Sequence, residues 1–201
     1  MQPCPAPFNL ADYVLTAGRA TPDKIALAVL GPAGAERWRY ARLEEAVRAM
    51  AGGLRGLGLA PGARVLLRLG NDAHFPVAFL GAIAAGLVPV PTAQALSPAE
   101  LDAMTPLIAP DAILAAPGVT LPTAPGCRVI SDLAALMSGP MGDFAMGDPD
   151  RPAFIVFTSG SSGRPKPVVH AHRAIWARRM MWDGWYGLTP DDRILHAGAF
   201  N

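Results

Sequence analysis

The sequence predicts an open α/β fold in which a mainly parallel sheet is flanked by helices. Two observations lead to this class. Helical and strand-like segments alternate along the chain, and region 75–99 contains no charged residue. An uncharged strand between helices is typical of a parallel sheet that is covered on both faces. In such a fold, the functional loop is expected at the carboxyl end of a strand.

The length of the uncharged region also raises the question of a membrane span. Helix-breaking residues divide it into pieces that are too short for one. These are Pro76, Gly81, Gly86, Pro89, Pro91 and Pro98. We therefore interpret the region as a buried helix from about Ala73 to Ala85 followed by a buried strand, and we expect no membrane span.

Apolar spacing, turn residues and cap residues place the other elements. The first half is predicted to contain a helix at 9–19, a strand at 25–30, a short strand at Trp38, an amphipathic helix at 44–59 and a strand at 65–69. The second half is predicted to contain a helix at 98–108, strands at 112–115 and 127–130, a short helix at 132–137 and strands at 153–156 and 193–196.

Two of the helices have recognisable start signals. Ser97-Pro98-Ala99-Glu100 forms a capping box with proline at the first helical position, so a helix should begin at Pro98. Ser131 is expected to be the N-cap of the short helix that follows it.

Residues 138–152 are rich in glycine, proline and aspartate and are predicted to form the internal linker. They divide the chain into an N-terminal α/β subdomain at 1–137 and the start of a second subdomain at 153–201.

Composition excludes several classes of function. The 17 Lys+Arg and 16 Asp+Glu residues give a net charge of +1, which argues against nucleic acid or an anionic membrane surface as a partner. The residues after Met1 lack the basic start and apolar core of a signal peptide. The chain's two cysteines suit a reducing compartment, so we expect a cytoplasmic location.

The polar chemistry of the chain is concentrated in the ten-residue segment 157–166, which follows an apolar strand. Its glycines allow backbone N–H groups to approach a ligand, its hydroxyls can donate to phosphate oxygens, and Lys166 adds a mobile positive charge. Lys24 and Lys166 are the only lysines in the chain. The segment therefore predicts a phosphate-binding loop.

The spacing of this loop does not fit the Walker A pattern of nucleotide triphosphatases. Counting from Gly160 places Pro165 at the position of the second glycine and Pro167 at the position of the serine or threonine.

The loop instead resembles the signature of the adenylate-forming enzymes, a superfamily of acyl-CoA synthetases, luciferases and peptide-synthetase adenylation domains. That signature reads aromatic-Thr-Ser-Gly-Ser/Thr-Thr-Gly-x-Pro-Lys-Gly-Val, and residues 157–168 follow it. Ser162 is a conservative hydroxyl exchange, whereas Pro167 replaces glycine and is expected to stiffen the exit of the loop. Residues 38–59 and 82–91 resemble the family's first and second core motifs.

The resemblance implies a role for each loop residue. Lys166 is implied to be catalytic, offsetting charge on the terminal phosphates of ATP, and Thr158 is implied to help position Mg²⁺. The residues implied to bind ATP are Thr158, Ser159, Gly160, Ser161, Ser162, Gly163 and Lys166. The implied reaction joins a carboxylic acid to CoA through an acyl-adenylate, with ATP, Mg²⁺ and CoA as cofactors.

The resemblance also implies that the chain is the N-terminal part of the family's large domain, since members are more than twice as long. We expect the isolated chain not to turn over, and we expect its exposed apolar surface to favour self-association. Two alternatives stay open: a peptide-synthetase-type adenylation domain, and a non-catalytic fragment with weak or no nucleotide binding.

Several other residues have a possible chemical role. His170 and His172 can present two imidazoles to a metal, but with no third ligand nearby we favour histidines bonded within the fold. We expect a solvated helical face to contain Arg173, Arg178 and Arg179. We interpret Trp182 and Trp185 as core or interface anchors. The resemblance implies that Phe200 or Asn201 is the gate of the acyl pocket.

Overall fold

The computed structural model describes residues 2–158 and 164–198. Its helices are α1 (Leu10–Arg19), α2 (Tyr40–Gly56), α3 (His74–Ala84), α4 (Pro98–Ile108), α5 (Leu133–Leu136) and α6 (Arg173–Met181), followed by a π-helical turn (Trp182–Tyr186). Its strands are β1 (Ile25–Gly31), β2 (Gly34–Arg39), β3 (Arg64–Arg68), β4 (Val88–Pro91), β5 (Ala112–Ala115), β6 (Arg128–Ile130), β7 (Pro152–Thr158) and β8 (Lys166–Ala171).

A four-stranded parallel sheet with the order β4-β3-β5-β6 forms the centre of the fold. Val65 and Leu67 point to one face and pack with α2 and α3. Leu66 points to the other face, where it packs with Val90 of β4 and Ile108 of α4. Both faces are therefore covered by apolar side chains, which confirms the predicted fold class.

Two antiparallel hairpins accompany this sheet, one formed by β1 and β2 and the other by β7 and β8. Strand β7 lies against β4, but the two are not joined in one ladder. Prolines explain this arrangement. The Val88 N–H is directed towards the β3 side, where it donates to the Ala63 carbonyl at 2.9 Å. Alternation then directs positions 89 and 91 to the opposite edge, and because both are proline that edge has no N–H to donate.

A pair of glycines in α2 allows the end of α5 and the segment after it to approach the helix backbone. A Cβ atom added to Gly52 would overlap the carbonyl oxygen of Pro140, and one added to Gly53 would overlap that of Leu136. Farther along, the Gly142 N–H donates to the Arg48 carbonyl at 2.8 Å. Residues 140–142 of the predicted linker at 138–152 are thus held against α2 by backbone contacts that glycine permits.

Helix α1 is fixed to the later part of the chain by several buried contacts. The Asn9 side chain caps α1 and donates to the carbonyls of Ile83 and Ala145, at 3.1 and 2.8 Å. Leu10 N–H donates to His172 Nδ1 at 3.0 Å, and Arg151 donates to the Phe8 carbonyl at 2.8 Å. The N-terminus therefore depends for its position on residues that lie between 74 and 162 places away in the sequence.

The structure confirms the capping box at the start of α4 and corrects three local predictions. Helix α2 begins at Tyr40 rather than Glu44, because the chain turns into the helix at Arg39 without a side-chain cap. Asp132, not Ser131, is the N-cap of α5, since its carboxylate accepts from the Ala135 N–H at 2.9 Å. Residues 193–196 form no strand.

The end of the described chain is also more exposed than predicted. Trp185 is 84% exposed and Trp182 is 38% exposed, so neither belongs to the core. Among the helices of residues 2–158 and 164–198, none has both the length and the hydropathy needed to cross a membrane.

Candidate functional site

The β7–β8 hairpin carries the two ends of the candidate phosphate loop. Thr158 is the last residue of β7 and Lys166 the first of β8, and the strand register pairs these two residues directly. Paired residues of an antiparallel ladder lie on the same face, so the hydroxyl and the ammonium group start from neighbouring positions. Both residues are exposed to solvent.

The central residues of the loop are not described by the structure. Ser159, Gly160, Ser161, Ser162 and Gly163 lie outside the described ranges, as do the candidate gate residues Phe200 and Asn201. Of the predicted site, the structure thus places Thr158 and Lys166.

Pro167 lies in an edge strand, which is where proline occurs in sheets. It faces Phe157 in the ladder, and β8 is the outer strand of a two-stranded sheet. Proline is found at such edges because no second neighbour requires its N–H group. The one clear departure from the family signature is therefore compatible with a formed hairpin.

A cavity of about 980 Å³ opens beside the hairpin. One wall is formed by the end of β4 and the turn after it, and another by one side of α4. The third wall is formed by the end of β7 together with Arg164 and Pro165, which directly precede β8. Most of the lining is apolar, with Leu96, Met104 and Phe157 as its largest apolar side chains. Thr158 and Arg164 lie at the border of this cavity, so the phosphate loop and the apolar space share one rim.

Charges of both signs line the cavity. Arg164 is exposed and contributes a guanidinium group to the lining that Thr158 also belongs to. On the α4 side, the Glu100 carboxylate accepts hydrogen bonds from the backbone N–H and the hydroxyl of Ser97, at 2.8 and 2.7 Å. These bonds lower the pKa of Glu100, so its carboxylate stays charged. The hydroxyl, ammonium and guanidinium groups are together a donor set that suits phosphate oxygens.

The two histidines of β8 and its exit have separate partners. His170 stacks on Phe154 with ring centroids 4.6 Å apart, whereas buried His172 accepts from the Leu10 N–H. Burial, followed by the nearby charge of Arg151, lowers the pKa of His172 to about 4. In the described part of the chain, no group of three or more His, Cys, Asp or Glu side chains is placed to hold a metal.

The arginines of α6 make contacts within the fold. Arg173 forms an ion pair with Asp150 at 2.6 Å, and Arg179 donates to the Tyr13 hydroxyl at 2.9 Å. The first contact is with the turn before β7 and the second is with α1.

Comparison with known proteins identifies the family. The sequence pattern of the family described as AMP-binding enzyme matches residues 15–200. The chain belongs to the AMP-binding enzyme family. A solved benzoate CoA ligase from Burkholderia xenovorans LB400 shares 26% of its sequence over 92% of this chain and 39% of the ligase, with a TM-score of 0.76.

Curated members of the AMP-binding family give the same result. Phenyloxazoline synthase MbtB of Mycobacterium sp. (strain MCS) is 34% identical over 87% of this chain. Long-chain-fatty-acid–CoA ligase FadD13 of Mycobacterium tuberculosis (strain CDC 1551 / Oshkosh) is 30% identical over 88% of it. The chain spans 15% of the first protein and 38% of the second, well under half of either.

One residue near the cavity of this AMP-binding protein escaped the sequence analysis. Arg68 ends β3, is fully buried, and bonds to the turn that forms part of the cavity wall. In the sequence, Arg68 could have been noticed as a charged residue near the end of an otherwise apolar strand. Burying such a charge costs free energy, so the side chain requires specific hydrogen-bond partners.

Proposed function

We propose that the chain is part of an enzyme that activates a carboxylic acid with ATP and transfers the acyl group to CoA. A carboxylate oxygen would attack the α-phosphorus of ATP and pyrophosphate would leave. The thiol sulfur of CoA would then attack the acyl carbon, releasing AMP and the thiol proton. Membership of the AMP-binding family supports the activation step, and the CoA step rests on the likeness to acyl-CoA ligases.

The pairing of Thr158 with Lys166 carries this proposal, because it sets a hydroxyl and an ammonium group at the two ends of the candidate phosphate loop. Lys166 would offset negative charge on the terminal phosphates, and Thr158 would donate to phosphate oxygen or help position Mg²⁺. When bound, Mg²⁺ would spread the charge that develops during phosphoryl transfer. Ser159, Ser161 and Ser162 would add hydroxyl donors, and Gly160 and Gly163 would permit a close approach.

The cavity beside Thr158 supports a reaction in which a carboxylic acid and a thiol bind in addition to ATP. Its apolar lining suits an acyl group or the arm of a thiol, and Arg164 at the rim suits an anionic end. A peptide-synthetase-type adenylation domain would use the same loop with a carrier-bound thiol as acceptor, and relatives of this kind support it as the second candidate.

Calorimetric titration with Mg-ATP tests the role of the loop. Lys166→Ala should weaken binding by roughly ten- to a hundredfold, since it removes one charge-assisted hydrogen bond to phosphate. Lys24→Ala is the matched control, because it removes the only other lysine and should leave the affinity unchanged. Equal losses in both variants would contradict the assignment. A folded chain that binds no Mg-ATP would favour the non-catalytic fragment.

Two further proposals concern organisation. We propose a cytoplasmic location, and a division in which residues 138–152 join a subdomain at 1–137 to the start of a second subdomain at 153–201. Limited proteolysis tests the division, because cleavage within 138–152 should leave two fragments. Rapid further digestion of either fragment would speak against it.

We also propose that the chain self-associates through the exposed apolar residues after α6. Trp185, Ile194 and Leu195 are all more than two-thirds exposed, and they lie within eleven residues of each other. Light scattering should show a mass that rises with concentration, and Trp185→Ser combined with Ile194→Ser should return the monomer. A monomeric wild-type chain at all concentrations would exclude this association.

A further inference from the structure

Arg68 is a buried charged side chain at the end of a central strand. Its relative exposure is 0%. Alternation along β3 places it on the same face as Leu66, which is the face covered by α4 and bordered by the cavity. Neighbours Leu67 and Leu69 point to the opposite face and pack with the other core cluster.

The guanidinium group of Arg68 bonds to the turn that follows β4. Nη1 donates to the Thr92 hydroxyl at 3.2 Å and to the Ala93 carbonyl at 2.5 Å, and Nη2 donates to the Gln94 carbonyl at 3.1 Å. Nε donates on another side to the Thr120 carbonyl at 3.0 Å. Three consecutive residues of one turn are thus bonded to a single planar group.

Thr92 completes a closed set of bonds between the two strands. Its hydroxyl accepts from Arg68 and donates to the Leu67 carbonyl at 2.9 Å. The turn at 92–94 is therefore fixed to the end of β3 both by its own side chain and by Arg68.

Burying the charged guanidinium group of Arg68 costs desolvation free energy. Within residues 2–158 and 164–198, no carboxylate forms an ion pair with it, and burial lowers its pKa. An apolar side chain of similar volume would avoid the cost of burying the ion. The planar fork of arginine provides something that an apolar side chain cannot, which is a fixed geometry for several carbonyl acceptors at once.

The turn that Arg68 holds is one wall of the cavity. Thr92 and Ala93 line it from the β4 side, facing Phe157 and Thr158 of β7, while Arg68 itself is not part of the lining. We propose that Arg68 is a positioning residue for this cavity, which keeps the turn at 92–94 in the place that leaves room for an apolar ligand. The positioning role of Arg68 does not depend on the proposed function. Only the assignment of the cavity to a substrate rests on it.

A pair of fluorescent probes tests the proposal in the purified chain. N-phenyl-1-naphthylamine is neutral, and 1-anilinonaphthalene-8-sulfonate adds a sulfonate to the same rings. Arg68→Met should weaken binding of both probes in the cavity by about tenfold, because the wall moves whether or not the ligand is charged. Arg68→Lys keeps the charge but loses the fork, and it should weaken both probes by a similar or smaller factor.

Two control variants separate the cavity from other effects. Ala103→Trp, on the cavity side of α4, should obstruct part of the space, so the signal that it removes arises there rather than at exposed residues after α6. Val77→Ala removes a buried side chain from the opposite cluster, so it should lower stability without changing probe affinity. Circular dichroism establishes that each variant is folded.

The outcomes distinguish positioning from other roles. If a folded Arg68→Met variant binds both probes as the wild type does, or loses only the anionic probe, the proposal is wrong. Should Arg68→Met not fold, Thr92→Ala takes its place, because it removes one acceptor of Arg68 and the bond to Leu67 while the charge remains. If the Thr92→Ala variant binds both probes as the wild type does, the proposal is equally wrong. The probes report on the cavity and the Mg-ATP titration of Lys166→Ala reports on the loop, so a failure of the loop assignment at Lys166 is recognised separately.

Discussion

Replacing Gly53 by alanine is expected to lower the free energy of unfolding by about 3 kcal/mol, even though alanine is the better helix former. Helix propensity alone would raise stability by roughly 1 kcal/mol. The added Cβ atom, however, would overlap the backbone carbonyl of Leu136, and a backbone group cannot rotate away as a side chain can. The end of α5 would have to move away from α2 for the variant to fold.

The same helix provides a matched control for this prediction. Gly56 is the last residue of α2, and a Cβ atom added there would meet nothing within 4 Å. Gly56→Ala should therefore be neutral or stabilising by up to about 1 kcal/mol. Urea unfolding of the two variants measures the difference. Similar stabilities would contradict the close approach at Gly53.

Acidification is expected to remove about 3 kcal/mol of stability through His172 alone, between pH 6.5 and pH 4. Burial, with Arg151 nearby, lowers the pKa of this histidine to about 4 in the folded state, compared with an ordinary value of 6.5. Below pH 6.5 the unfolded chain therefore binds a proton that the folded chain does not. Stability from this group is constant above pH 6.5, falls as the pH decreases, and stops falling below about pH 4.

The structural consequence of protonation is a lost hydrogen bond at the start of α1. Nδ1 of His172 accepts from the Leu10 N–H, and a protonated ring has no lone pair with which to accept. His172→Gln retains an acceptor but does not titrate, so its stability relative to the wild type should increase as the pH falls from 7 to 4.5. Val77→Ala lowers stability without changing a titrating group. Its difference from the wild type in free energy of unfolding should therefore stay constant as the pH changes. Parallel pH profiles for His172→Gln and the wild type would refute the prediction.

Features encoded within a few residues were predictable from the sequence. The capping box of α4 depends on Ser97 and Glu100 alone, and both reciprocal bonds are present. The parallel sheet followed from uncharged strands between helices, and the resemblance of the loop to adenylate-forming enzymes identified the family.

Features that depend on distant partners were not predictable in this way. Residues 193–196 have the composition of a strand, but a strand needs a neighbour to pair with, and none of the described strands pairs with them. Arg68 is similar, because its acceptors lie between 24 and 52 residues farther along the chain. A pattern within one segment carries no information about such partners. The start of α2 was misplaced for a different reason, since it lacks the side-chain cap by which a helix start is recognised.

The contacts that hold α1 also set an order of events during synthesis. Leu10 and His172 are separated by 162 residues, so α1 is made long before its acceptor exists. At about 5 to 20 residues per second, a ribosome needs roughly ten to thirty seconds to add the residues between them. During that interval the apolar side of α1, including Leu15, is without one of its anchors. The first helix to leave the ribosome accordingly gains this anchor only after residue 172 has been made, and a nascent chain stopped before that residue should hold the start of α1 less firmly than the full chain does.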